Sequence, residues 1–148
     1  MTKEEHVKVM GYAGVIYRKE FTPLEINAWY EFFKDIPYDV CKGAIKTCAI
    51  KYKYMPSISE LLLECREADM KKRMEILYLM YQDGYFKRGV EELTDEHAET
   101  NYTKAQLCIA KDIIPDWLLE DMISYGYTNV LIPTEVKQIT TQKYLLEG

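Results

Sequence analysis

The stretch TPLEINAWYEFF, Thr22 to Phe33, decides the fold class. Thr22 supplies a hydroxyl acceptor, Pro23 a preset first helical residue, and Glu25 a carboxylate that reaches back to the cap, which together start a helix. Ile26, Trp29, Tyr30 and Phe33 then recur at i, i+3, i+4 and i+7 as one aromatic stripe. Working outward, the same grammar repeats. Thr2 with Glu5 opens an earlier helix in which Val7, Met10, Gly14 and Tyr17 fall at helical spacing, and Gly11 and Gly14 offer room for a neighbouring helix. Pro37 opens a third, whose buried face is Cys41, Ala44, Ile45 and Cys48 and which should stop near Tyr54, because Pro56 pushes the residue before it toward extended geometry. Ser57 with Glu60 caps a fourth, continued by Ile58, Leu61, Leu62 and Cys65.

At Asp69-Met70-Lys71-Lys72-Arg73 charge interrupts the apolar face, which resumes at Ile76, Leu77, Met80 and Tyr81 and meets a stop at Gly84. One long helix across a domain boundary fits this as well as two helices do. Val90 to Asn101, with five acidic residues, reads as a solvated connector, Tyr102 to Ala110 as a weak helix, and Asp116 as the cap of an amphipathic segment ending before Gly126. Val130-Leu131-Ile132 reads as a short extended stretch, and Thr134 begins a last helix ending in Tyr144, Leu145 and Leu146. Strand signals are scarce. The expected architecture is all-α: a small N-terminal helical bundle over residues 1–69, closed by Trp29, Phe33, Ile45, Cys48, Leu61 and Leu62, then a second helical, partly mobile, acidic segment over 70–148.

The chain has 148 residues, 48% of them hydrophobic, and a net charge of −5. Residues 1–74 carry 13 Lys/Arg against 11 Asp/Glu, and residues 75–148 carry 6 against 13, so the deficit lies entirely in the second half. A chain of this balance is a poor tight binder of a polyanion. No run of about 18 apolar residues is present, and MTKEEHVKVM lacks a signal-peptide layout, so a soluble cytoplasmic protein is expected, with no membrane contact.

Catalytic signatures are missing from the sequence. Its seven glycines never form GxxxxGK, which excludes P-loop ATP hydrolysis, and there is no HExxH, GxSxG or EF-hand loop. Glu91-Glu92 and Glu120-Asp121 are adjacent, so on a helix their carboxylates diverge. Cys41, Cys48, Cys65 and Cys108 form no CxxC pair, and only His6 and His97 could join them as ligands. The cysteines read as reduced core thiols. No enzyme activity, cofactor or metal is expected.

Two binding surfaces remain. Trp117, Leu118, Met122 and Tyr125 present large side chains at helical spacing, the pattern of a helix that fills a partner's groove, with Trp117 as anchor; the competing reading packs this helix on the N-terminal domain or into a second core. Lys42, Lys46, Lys51 and Lys53 with Tyr52 and Tyr54 supply amines for phosphates and rings for bases, a weak and salt-sensitive single-stranded nucleic-acid site; Lys71, Lys72 and Arg73 follow.

The first 68 or so residues resemble the small bacteriophage proteins that load and inhibit the hexameric replicative helicase of Gram-positive hosts. The likeness rests on Tyr17 with Phe21 in an aromatic first helix, Glu25 to Trp29, the corner Lys34-Asp35-Ile36-Pro37-Tyr38, the alanine-and-lysine helix Ala44 to Lys51, and Tyr54-Met55-Pro56-Ser57-Ile58-Ser59-Glu60 leading into the next helix. It stops near Met70. The resemblance implies a helical N-terminal domain without ATPase activity and a C-terminal part that grips the helicase. Such a protein escorts the helicase to an origin-bound initiator and restrains it until delivery. A phage inhibitor of another host protein, or a weak single-stranded DNA binder, is the alternative expectation.

Overall fold

A computed structural model describes residues 1–87 and 95–128. Among them the chain is all-α, without a strand: α1 Lys3–Tyr17, α2 Pro23–Phe33, α3 Tyr38–Lys51, α4 Ile58–Gln82, a 3-10 turn Tyr85–Lys87, α5 Asp95–Ala110 and α6 Asp116–Ser124. The extended stretch expected at 130–132 and the helix expected from Thr134 lie outside the described residues. No helix among the described residues is long and apolar enough to cross a membrane. The chain divides into two compact units, one over Met1–Ala68 and one over residues 69–128.

The first unit is built by its caps. The hydroxyls of Thr2 and Thr22 accept the backbone N–H of Glu5 and Glu25, and each glutamate accepts the cap residue's own N–H. Ser57 and Glu60 make the same reciprocal pair, at 3.2 and 3.0 Å, ahead of α4. Helix α1 packs on α2 and α3. Phe33, Ile45, Cys48, Leu61 and Leu62 are buried together with Val9, Ala13 and Ile36, while Trp29 packs on this core from its edge, stacked on Phe33 at 5.8 Å. Full burial of one such side chain stabilises the fold by about 1.5–3 kcal/mol.

The phase of α1 differs from the sequence expectation. Its buried face is His6, Val9, Met10 and Ala13, and Val7 is half exposed. Gly14 answers a constraint other than close helix packing. A Cβ on Gly14 would lie 2.6 Å from the Lys19 carbonyl oxygen, because the chain leaving α1 folds back over that residue. A Cβ on Gly11 would meet open space, and both glycines line a groove of about 450 Å³ with Val7, Met10, Val15, Phe21 and Ile26. Helix α3 stops at Lys51, three residues early: Tyr52 is already extended, and the Lys51 ammonium is held by Glu64 and Glu67 of α4.

In the second unit the later part of α4, the 3-10 turn, α5 and α6 enclose Ile76, Leu77, Met80, Phe86, Ala98, Ala105, Ile109, Leu118, Met122 and Tyr127. The acidic connector was expected to run to Asn101, yet α5 begins at Asp95. Ala98 is in phase with Tyr102, Ala105 and Ile109, so a single alanine supplies the extra turn's buried contact. Residues 90–94 of that connector lie outside the described residues.

His6 is a buried titratable group in the first unit. One ring nitrogen, Nε2, lies 2.9 Å from the Ile26 carbonyl, and Nδ1 is buried without a partner. Burial holds the imidazole below its ordinary range, against the opposing effect of the Ile26 carbonyl. The neutral form is therefore the folded form. Its stabilising contribution is complete above about pH 6.5 and is lost as the pH falls below that, where the unfolded chain takes up a proton first. The backbone N–H of each cap residue holds its glutamate below the ordinary carboxylate range, so the caps lose their contribution only lower, from that range downward. Stability measured by urea denaturation should thus begin to decline as the pH falls below about 6.5, ahead of the carboxylates. His6→Gln, which keeps a donor for Ile26 and cannot titrate, should flatten that part of the profile; an unchanged slope would assign the decline to other groups.

Candidate functional site

Helix α6 carries the residues expected to meet a partner. Pro115 stands at its N-cap and Asp116 in its first turn, where the helix dipole favours a carboxylate. Its C-terminus closes through Gly126 at φ 100°, whose N–H donates to Ile123 O while the Tyr127 N–H donates to Met122 O, both at 3.0 Å. Leu118 and Met122 are completely buried in the second core, and Tyr125 is half-buried, its hydroxyl donating to Asp83. The Tyr85 hydroxyl donates to Asp121 at 2.5 Å. Of the four expected contact residues, only Trp117 remains largely open, 58% exposed. Leu118 and Met122 are the inward face of the same helix and build a core in place of a free groove-filling face. Ile113 and Ile123, which the expected set left out, are about half exposed, and the solvent side of α6 carries Asp116, Trp117, Glu120 and Ile123 with no basic residue.

What fixes this helix is a polar knot. Asp69 and Arg73, one turn apart on α4, pair at 2.9 Å and are both buried. Arg73 Nε also donates to the Tyr127 hydroxyl at 3.0 Å, and that hydroxyl donates to Asp69 at 3.0 Å. Arg73 Nη1 donates to Asp112 at 2.8 Å. Asp112 itself sits at φ 62°, closing α5: its N–H donates to Ile109 O and the Ile113 N–H to Cys108 O. Burial pushes the Tyr127 phenol up to about 12, so it stays protonated and able to donate. By sequence alone, Asp69 to Arg73 interrupt the apolar face. In the structure Leu62, Cys65, Asp69, Arg73, Ile76 and Met80 form one continuous buried line, at spacings of three and four. That in-phase position was the available signal.

Two of the residues expected for nucleic acid are taken up inside the first unit. Lys51 is bound to Glu64 at 3.0 Å and to Glu67 at 3.6 Å, and Tyr52 packs at the edge of the first core. Arg73 is spent inside the knot. Lys42 lies over the rings of Tyr12 and Tyr38, Lys53 lies over Tyr54, and Lys46 is exposed.

Cys41, Cys48 and Cys65 are buried and free, and burial raises the Cys48 thiol to about 11, which leaves it protonated and a poor nucleophile at neutral pH. Among the described residues no three His, Cys, Asp or Glu side chains gather as a metal site.

Residues 1–62 match the family model for the N-terminal domain of the phage gene 39 protein, a domain of phage helicase loaders and inhibitors. The match covers less than half of the 148-residue chain. No curated protein and no solved structure matches the chain.

Arg73→Leu leaves the Asp69 carboxylate buried and unpaired, and should destabilise the second unit by about 3–5 kcal/mol in urea denaturation. Replacing both residues with leucine should recover most of that loss. A single variant as stable as the parent would show that the pair carries no stabilising load.

Proposed function

We propose that this chain binds the hexameric replicative helicase of a bacterial host and loads it or holds it inactive, acting in the bacterial cytoplasm as a phage or prophage replication accessory protein. The observation that carries the reading is the match of residues 1–62 to the N-terminal domain of the phage gene 39 helicase-loader family. Without a phosphate loop in the sequence, any loading draws on binding free energy and its release by a competing partner, an origin-bound initiator being the natural one. The N-terminal unit supplies the family domain, and the second unit supplies the grip. Trp117 is the anchor on α6, flanked by Asp116, Glu120, Ile113 and Ile123, and it suits a partner pocket that receives an indole and has basic residues at its rim.

The test is size-exclusion chromatography of the full chain with a purified bacterial replicative helicase hexamer, followed by calorimetry. Co-elution at micromolar concentration is expected, together with a change in helicase ATPase or unwinding rate that separates restraint from delivery. Absence of co-elution by a folded chain would refute the reading. Trp117→Ala should weaken binding by about 2 kcal/mol or more, roughly thirtyfold, with the fold intact because the side chain is outside the core. Unchanged affinity would remove Trp117 from the interface.

A further inference from the structure

The lysines of α3 and the turn after it fall into two classes that composition does not reveal. Lys51 takes up Glu64 and Glu67, so the carboxylates that α4 brings to α3 are matched there. Lys42 and Lys46, one turn apart on another side of α3, and Lys53 just beyond its end have no carboxylate within salt-bridge distance among the described residues. Each of the two outer amines rests on tyrosine: Lys42 Nζ is 5.4 Å from the Tyr12 ring and 5.8 Å from that of Tyr38, and Lys53 Nζ is 5.8 Å from that of Tyr54. Tyr54 is 76% exposed, so its ring is open to solvent, and Ile50, one turn on from Lys46, is 88% exposed. The first unit as a whole is electrically neutral, with ten Lys/Arg and ten Asp/Glu over residues 1–68, so it does not repel a polyanion.

We propose that this face, Lys42, Lys46 and Lys53 with Tyr54, binds single-stranded nucleic acid. Lys42 and Lys46 are about 6 Å apart along the helix axis, from the rise per residue, so they can follow a single strand's phosphates. Tyr54 offers a base a stacking platform, and Ile50 adds an apolar shelf. An acidic peptide would use the amines equally well but has no use for the open ring. Three phosphate contacts give weak binding with a predictable salt dependence: affinity falls with about the second power of salt concentration. Lys51 and Tyr52 are not part of the site.

The experiment is fluorescence anisotropy of the full chain with fluorescein-labelled (dT)20. Affinity should drop about twentyfold between 50 and 200 mM NaCl. Lys46→Glu with Lys53→Glu should abolish measurable binding, and Tyr54→Ala should weaken it fivefold or more. Lys104→Glu, an exposed charge change in the other unit, should alter it little. All four substitutions are at exposed positions, and far-UV circular dichroism verifies folding. No binding of the folded parent at 50 mM salt overturns the proposal, as does binding that ignores salt or the lysine pair. If the lysine pair instead disrupts helicase binding while (dT)20 is never bound, the face contacts an acidic protein surface and the nucleic-acid assignment falls.

Discussion

The buried pairing of Arg73 with Asp69 is the constraint on which the second unit depends. Placing either charge alone inside a protein is strongly unfavourable, and the pair is tolerable only when its remaining donors and acceptors are filled. Tyr127 and Asp112 fill them. Because those two residues stand after α6 and at the end of α5, satisfying one arginine also decides where both helices terminate. Gly126 then turns the chain so that Tyr127 can come back to α4. The solvent face of α6, and with it the orientation of Trp117, is thus set by a side chain more than forty residues upstream.

The first unit relies on a different device. Its helices are started by reciprocal hydroxyl–carboxylate caps and held by an aromatic and aliphatic core with few internal polar groups, His6 being one of them. Outside α1, local signals and the buried face agree there, as expected of a sequence consistent across levels. In the second unit local signals and burial disagree at Asp69 and Arg73, and a polar network resolves the disagreement.

That contrast explains what could be read from the residues alone. The all-α class, the starts of α1, α2 and α4 and the closing residues of the first core were legible because capping and period-3.6 patterning act over a few residues. The phase of α1 was not, because Val7 and Val9 are equally apolar and only tertiary packing chooses between them. The extension of α5 to Asp95 was hidden because an alanine is a faint mark of burial. At the candidate sites, the exposure of Trp117 and the burial of Leu118 and Met122 on one short helix follow from how that helix docks, which spacing cannot give. The division of Lys51 from Lys46 needed the position of Glu64, contributed by another helix.

The left-handed conformation of Asp112 limits what relatives of residues 69–128 can look like. Glycine there would relax the backbone but take away the acceptor of Arg73 Nη1, and a β-branched residue would be strained at that φ. Asparagine keeps both roles at reduced charge. Apolar core positions, by contrast, exchange freely while volume is kept. Lineages that share this unit should therefore drift apart in their hydrophobic residues and remain tied at a sparse signature: aspartate and arginine four apart on one helix, an aspartate or asparagine closing the next long helix, and Gly-Tyr after the short one. Such a spaced polar signature is the means of tracing descent for the part of the chain beyond the matched residues 1–62.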